Sequence, residues 1–480
     1  MRRLLFVSAC LLASTALVSG PARAQAAPEP SVTDQLAQMR AEMARMAQRI
    51  GSLETQLGAA QAQAQVAQTR ADAASAALAA LPAPSASAVP PTTITWDGAP
   101  RLSAAVDPKK PAAGSWSFKP RGRLHLDIGG VDAPASVGSK SLGVAAEVRR
   151  AYLGFEGTLP GNFGYRAEVD VANSGVDITD LFLTYKASPQ LTLTLGHQKP
   201  FWGLEELTSD LFTSFMERAA FNSAFGFERR VGLSATYIGK QVLVSGGVFS
   251  DNAADLGADT NNSYSVDGRV VFMPKVGAGQ LHLGVSGHYR DFNDASTTAR
   301  YRARPFVHTT DVRLVDTKAF GATGERSFGG EFAYIAGRFH ATAEGHWITA
   351  LRPGLADPTF NGGYGEFGYL LTRDDVTVYK NGVYDRIRPK HPLGSGGIGA
   401  VQVNARYDWL DLTDAGIVGG RQRTAALSLL WIPTDYVRFI ANYGHLWLDD
   451  AAVADGVTRT YTADAVIDDF AELVPALERL

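Results

Sequence analysis

Gly394-Ser395-Gly396-Gly397-Ile398-Gly399 has the GxGxxG spacing with which a strand-to-helix turn cradles a dinucleotide, so it is the first place to look for redox chemistry. It follows Lys390-His391-Pro392, with no strand pattern before it and no helical pattern after it, and therefore reads as a loop. The 9 histidines include no HExxH pair. His340 and His346 share a face on a two-residue period and read as polar groups lining a pore rather than as metal ligands. No spacing singles out a Ser-His pair, so neither an enzyme nor a cofactor is expected. What remains is cationic: Arg121, Arg123, Arg150 and Arg166, then Arg300, Arg302, Arg304, Arg313 and Lys318, then Arg386, Arg388 and Lys390. Guanidinium forks hold oxyanions. The net charge of -3 leaves no global basic field, so these cations act locally and nucleic acid is not the partner.

The elements that must position them begin with an export signal. Arg2 and Arg3 precede an apolar run from Leu4 to Val18, and Ala22-Arg23-Ala24 offers the small residues a signal peptidase reads. Residues 1–24 are expected to be removed, with Ala26 as the alternative cleavage point. Val7-Ser8-Ala9-Cys10 has the form of an acylation box, but only three apolar residues separate it from the arginines, too few for a signal core. Cys10, the 1 cysteine, leaves with the peptide, so the mature chain has no disulfide and no thiolate site.

Val32, Leu36, Met39, Met43, Met46, Ile50, Leu53 and Leu57 alternate steps of four and three, an unbroken heptad seam that predicts a coiled coil within 31–81. Residues 82–115 are rich in proline and alanine and read as a semi-rigid linker. Beyond Trp116 the period becomes two. Leu281, Leu283, Val285 and Tyr289 alternate with His282, Ser286, His288 and Arg290, while Val401, Val403, Ala405, Tyr407 and Trp409 alternate with Gln402, Asn404, Arg406 and Asp408. Sixteen strands are expected in 116–480, starting near residues 117, 147, 163, 178, 191, 230, 241, 263, 280, 328, 338, 363, 401, 422, 436 and 461.

Connections at 159–162, 188–190, 239–240, 274–279, 336–338 and 433–436 are short, whereas those at 129–146, 199–229, 250–262, 292–327, 348–362, 411–421 and 449–460 are mostly longer. Short turns on one side and long loops on the other mark an outer-membrane barrel. The predicted fold is all-β, a sixteen-stranded antiparallel transmembrane barrel in outer-membrane lipid, preceded by a periplasmic coiled-coil helix. Trp116, Trp347, Trp409, Trp431 and Trp447 lie near strand ends, where an interfacial girdle belongs. Two stretches fit poorly: 373–400 is long for a periplasmic turn, and a helical tail, AELVPALERL, follows Phe470 where such barrels end on an aromatic.

From about Phe118 to Asp450, roughly 70% of the chain, the sequence resembles the phosphate-selective porin O/P family of Gram-negative outer membranes. GHQKPFWGLEELTSDLFTSFMERAAF followed by ERRVGL carries the likeness, as do GGYGEFGYLLT and ARYDWLDLTDAGIVGGRQRTAALSLLWIPTDYVRFIANYGH. The resemblance implies a homotrimer of sixteen-stranded barrels. It also implies a third loop, a fifth loop and a long periplasmic turn folded into the lumen, for which 199–229, 292–327 and 373–400 are the counterparts. It further implies cationic side chains that select small anions such as phosphate, and the clusters named above supply the candidates. On the two-residue period Arg121, Arg123, Arg150 and Arg166 fall opposite the lipid-facing set and should point inward. Against this, Asp311, Asp316 and Asp385 stand ready to neutralise the loop and turn cations.

The charge balance along the chain, with six basic and four acidic groups in 292–327 but four and five in 199–230, predicts a weak anion preference. A general or carbohydrate pore without an anion site is the alternative in the same class. A structural anchor acting through its coiled coil is the alternative in another.

Overall fold

The computed structural model describes residues 92–471 apart from 97–98, 106–113, 135–136, 138–141, 173–174 and 453–457, together with scattered helical positions between Gly51 and Ala73. The signal peptide, the heptad seam and the tail beyond 471 lie outside the described residues.

Alternation of apolar and polar side chains builds sixteen antiparallel strands: β1 (Ser115–Asp132), β2 (Ala145–Leu159), β3 (Phe163–Asp170), β4 (Asp177–Lys186), β5 (Leu191–Gln198), β6 (Arg230–Ile238), β7 (Val242–Phe249), β8 (Tyr264–Phe272), β9 (Gly279–Asp291), β10 (Gly324–Ala336), β11 (Phe339–Leu351), β12 (Thr359–Leu370), β13 (Ala400–Asp414), β14 (Ile417–Thr434), β15 (Val437–Ala452) and β16 (Thr458–Ala471). Each pairs with its neighbour in sequence, and β16 returns to β1 with Asp464 opposite Asp132 and Asp469 opposite Asp127. The sheet is a closed barrel. Closure joins the two end strands of the sheet, whose free edges lipid could not satisfy, with β16 meeting β1 from Asp127 to Asp132.

Turns of two to six residues join the strands at one end, 371–399 excepted, and the loops 199–229 and 292–323 rise from the other. Gly161 and Asn162, both at positive φ (80° and 68°), make the tight turn between β2 and β3. The loop expected at 411–421 is instead another such turn, at Ala415 and Gly416 (φ 47° and 82°). Alternation runs on through Leu412 and Ile417, so β13 and β14 extend as a ribbon past the level where the loop was expected.

The outer face is apolar: Leu153, Leu181, Leu195, Leu233, Val248, Phe328, Phe367 and Leu427 are exposed on it, with Trp347, Trp409, Trp431 and Trp447 among them. A second apolar cluster lies inside the barrel. Phe215, Phe221 and Phe225 from 199–229 pack with Tyr301, Phe306, Val307, Leu314 and Val315 from 292–323, against the inner faces of Phe360, Tyr364, Leu410, Leu412, Leu446 and Leu448. Both loops are therefore folded inward and held by burial, each such side chain contributing about 1.5–3 kcal/mol.

The span read as a linker is partly ordered. Thr93–Trp96 and Pro100–Ala105 form a hairpin whose second strand pairs with β1, Leu102 opposite Phe118 and Ala105 opposite Ser115. The physical reason lies in β1, which extends past its pairing with β16 and offers an open edge that an extended segment can join.

Direct cross-strand neighbours lie close enough for a disulfide, and Val131 stands opposite Ala465 at the closing seam. In a Cys10→Ser background, Val131→Cys with Ala465→Cys should crosslink on oxidation and keep the unheated electrophoretic mobility after boiling in detergent. No crosslink would mean that β16 does not close on β1.

Candidate permeation site in the barrel lumen

The loop 199–229 crosses the lumen because the walls supply partners for its backbone. Its first short helix, α1 (Leu204–Leu207), starts where Leu204 and Glu205 N–H groups each donate to the Glu344 carboxylate of β11 at 2.7 Å. Tyr364 of β12 donates to the same carboxylate at 2.7 Å. Glu205 in turn accepts from the Ala219 N–H (3.0 Å) and Asn222 (2.7 Å), tying α1 to the second helix, α2 (Ala220–Ala224). Arg406 of β13 lies between Glu205 (2.5 Å) and Glu366 of β12 (2.6 Å), with its guanidinium over the rings of Phe215 and Tyr364. Further along, Arg438 donates to the carbonyls of Asp210 (2.7 Å) and Thr213 (3.1 Å), Ser428 to that of Ser214 (2.6 Å), and Asn442 accepts from the Met216 N–H (3.1 Å).

The long turn 371–399 enters from the opposite end. It carries a small hairpin, Val378–Lys380 with Val383–Asp385. Tyr379 meets His282 of β9 at 2.6 Å and Tyr384 meets Thr342 of β11 at 2.5 Å, while the Tyr384 N–H donates to Thr208 at 3.3 Å. Arg269 of β8 binds Glu331 of β10 at 2.6 Å and donates to the Gly382 carbonyl at 2.9 Å. Loop and turn therefore meet inside the barrel.

Opposite them, β1 to β4 carry a ladder of ion pairs. Arg121 binds Glu156 (2.7 Å) and Glu168 (3.4 Å), and Arg166 binds Glu156 (2.9 Å) and Asp180 (3.3 Å). Arg123 contacts Asp210 and, at 3.7 Å, Glu168, while Arg150 binds Asp210 at 2.7 Å. A register shift between His125 and Leu126 skips Arg149, so that Arg149 and Arg150 are consecutive yet both reach acidic groups of the lumen, Arg149 at Asp127 and Glu217. Burial would raise the Asp210 carboxyl, but Arg123 and Arg150 hold it well below the usual carboxylate range. Lys199, at the root of the loop, donates to Glu206 at 2.6 Å, and burial pushes its ammonium down to about 8.

The remaining candidates are dispersed. In the fifth loop Arg300 forms a fork on Asp316 (2.9 and 2.5 Å), Lys318 joins the same carboxylate (3.1 Å) and Arg304 binds Asp311 (2.9 Å). Arg302 is exposed, and Arg313 is pushed down to about 10 by burial and by Arg304 and Arg302 beside it. In the long turn Arg388 binds Asp435 (2.8 Å), Arg386 donates to the Asp435 carbonyl and lies over the Phe212 ring, and the Lys390 side chain is exposed. Asp385 accepts from the Arg386 backbone N–H rather than neutralising its side chain.

His340 and His346 do not line open water. His340 contacts Glu366 at 3.0 Å beneath the third loop, and His346 stacks on Phe221. Gly394 to Gly399 lie in a turn that leads into β13 without a helix.

Sequence reasoning left out Lys199, Arg218 and Arg229 of the third loop, and Arg149, Arg406 and Arg438 of the walls. The first three were visible, since a loop expected to fold inward carries its own charges inward. Arg229 binds Asp180 at 2.7 Å and Arg218 binds Glu206 at 3.4 Å, extending the ladder.

The model of a family described as phosphate-selective porin O and P matches residues 118–466. An uncharacterized protein of Caulobacter vibrioides is 44% identical over 393 residues, 80% of this chain and 77% of its own. Porin O of Pseudomonas aeruginosa is 26% identical over 372 residues, 68% of this chain and 82% of its own. Among solved structures, the outer-membrane channel DcaP of Acinetobacter baumannii superposes over 74% of this chain and 97% of its own, with 11% identity and a TM-score of 0.46.

Arg406→Met would leave Glu205 and Glu366 buried without their cation, a loss of about 3–5 kcal/mol. The expected result is a lower thermal transition and faster proteolysis within 199–229. An unchanged transition would mean that the loop is held without this link.

Proposed function

Because the chain belongs to the phosphate-selective porin O and P family and is an outer-membrane porin, we propose that its barrel is a passive diffusion channel for small anions such as phosphate. The observation that carries this reading is the way the ladder of ion pairs is turned. Arg121, Arg166 and Arg229 keep 24, 32 and 23% of their side-chain surface exposed, whereas Glu156, Glu168 and Asp180, the acids they neutralise, keep 20, 2 and 12%. Along this stretch the guanidinium groups are more exposed than the acids they bind, whereas at the Asp210 end Arg123 and Arg150 are not. In a lumen walled by low-dielectric protein and lipid, a permeating ion responds to the nearer charge, so a nearly neutral ladder still favours anions. In the fifth loop Arg300 and Lys318 likewise cover Asp316, whereas Asp311 is more exposed than its partner Arg304.

In this reading Arg121, Arg123, Arg150 and Arg166 act on the anion from the wall, and Lys199, Arg218 and Arg229 act from the third loop. Arg300, Arg302, Arg304, Arg313 and Lys318 would gather anions at the loop end, and Arg386, Arg388 and Lys390 at the turn end. The barrel works as a homotrimer, its turn end toward the periplasm, where a coiled coil over 31–81 helps bring the copies together.

Reversal potential in a planar bilayer under a KCl gradient should fall on the anion side, and phosphate should block the chloride current at low concentration. Cation-side or null selectivity without block would replace this reading with a general or carbohydrate pore. Lys199 adds a pH signature. Its ammonium is charged below about 8 and neutral above, so the anion-to-cation permeability ratio should fall between pH 7 and 9, and the fall should vanish in Lys199→Arg. Deleting 31–81 should leave single-channel conductance intact. Loss of an envelope-anchoring phenotype on that deletion would favour the structural anchor acting through its coiled coil.

A further inference from the structure

The closing strands meet over only part of their length. Their pairing runs from Asp464 opposite Asp132 to Asp469 opposite Asp127. At the turn end the same edge of β1 is taken by the hairpin, whose strand Pro100–Ala105 pairs with Ser115 to Phe118. Between these two stretches, Pro120 to Leu126 have no strand partner on that edge among the described residues, although β2 pairs with the other edge. The gap lies between Phe118 and Ile128, both exposed on the outer face, and so falls within the apolar band of the wall. Hydrocarbon offers peptide groups there no partner, and an open sheet edge is a template for an extended segment.

The segment that follows β16 starts beside this gap. β16 ends at Ala471, opposite Arg438 of β15. Carried forward in the same register along β1, the chain sets Glu472 opposite Leu124, Leu473 opposite Arg123 and Val474 opposite Gly122. Pro475 favours this course over the helix expected of the isolated tail. The residue before a proline is driven from the helical region toward extended backbone, and proline then ends the ladder because it has no N–H. Alternation sets Val474 on the outer side with Gly122, and Leu473 on the inner side, level with Tyr436 in the turn between β14 and β15. A cavity at Tyr436 has an apolar lining, with Leu211 and Phe212 of the third loop, Ile387 of the long turn, and Leu430 and Val437 of the wall. Trp96 of the hairpin donates its indole N–H to the Tyr436 hydroxyl at 2.6 Å and bounds the gap at the turn end.

We propose that residues 472–474 complete β16 by pairing with Gly122 to Leu124, with Leu473 turned into the cavity, so that the segment after Ala471 seals the barrel wall beside the hairpin. The open edge of β1 is the docking surface, and its occupant is the tail of the same chain. This role does not depend on which solute the channel conducts.

The test uses full-length protein in a Cys10→Ser background. Leu124→Cys with Glu472→Cys should crosslink within one chain on mild oxidation about tenfold faster than Leu124→Cys with Leu480→Cys, because only the first pair is held in register. A non-reducing digest identifies the joined peptides. In a chain lacking 472–480, amide exchange over 120–126 should rise about tenfold, the edge having lost its hydrogen-bond partners, while exchange over 145–159 stays as it was.

Equal crosslinking rates for 472 and 480, or a crosslink formed only between two chains, would overturn the proposal and leave the gap an opening in the wall or a site for a neighbouring copy. Unchanged exchange over 120–126 in a truncated barrel that keeps its native unheated mobility in detergent would overturn it as well. If the truncated chain fails to assemble, the crosslinking rates of the full-length variants decide alone.

Discussion

Hydrocarbon offers no hydrogen-bond partner to a peptide group, so a sheet in a membrane must end on the strand where it began. The pairing of β16 with β1 meets that constraint here, and the rest of the structure follows from it. Once the sheet is closed, alternate side chains must be apolar toward lipid and are free to be polar within. A ring of sixteen strands is too wide for wall side chains to fill, so its lumen would be a broad aqueous hole. Backbone from 199–229, 292–323 and 371–399 narrows it. Irregular chain is tolerated at that depth only where its N–H and C=O groups find partners, and Glu344, Ser428, Asn442 and Arg438 provide them for the third loop.

Electrostatics then imposes a second order. Charges covered by a loop cannot stay unpaired, and Arg406 between Glu205 and Glu366 shows a fully enclosed link whose worth lies in holding two elements in one arrangement rather than in net stability. The ladder on β1 to β4 follows the same pairing rule but stays partly in water. Arg121, Arg166 and Arg229 are more exposed than the carboxylates they pair with, whereas Arg123 and Arg150 are not, so the pairing is uneven along the wall. Counting charges along the chain would call this wall nearly neutral.

How much of this was legible depends on the range of the interaction. The strands were, because a period of two is local: each of the sixteen starts within five residues of the position read from the sequence. The inward loop and long turn were recognised through resemblance and length. The fifth loop's apolar base left a signal that was passed over. In Leu446-Trp447-Leu448 and Trp409-Leu410 both faces of a strand are apolar, which in a water-filled barrel means that something covers the inner one. The inward turn of Arg149 depends on a bulge, and the orientation of each ion pair on burial by other elements, neither of which a single sequence displays. The hairpin at 93–105 was read as linker because its strands are short and its partner lies on an edge that only the closed barrel defines.

The fifth loop packs its apolar side chains on β12 to β16, not at the centre of the barrel, and this divides the circumference in two. One arc of wall is occupied in gripping the plug, so changes there register as failures to fold. The other arc, β1 to β6, holds the loops through charged and polar links, Arg123 and Arg150 to Asp210, Asp180 to Arg229 and Glu147 to His308, so exchange there alters charge more than apolar burial. Descendants of such a protein could therefore trade one solute for another by varying the first half of the chain, while the second half records chiefly the need to keep the pore assembled.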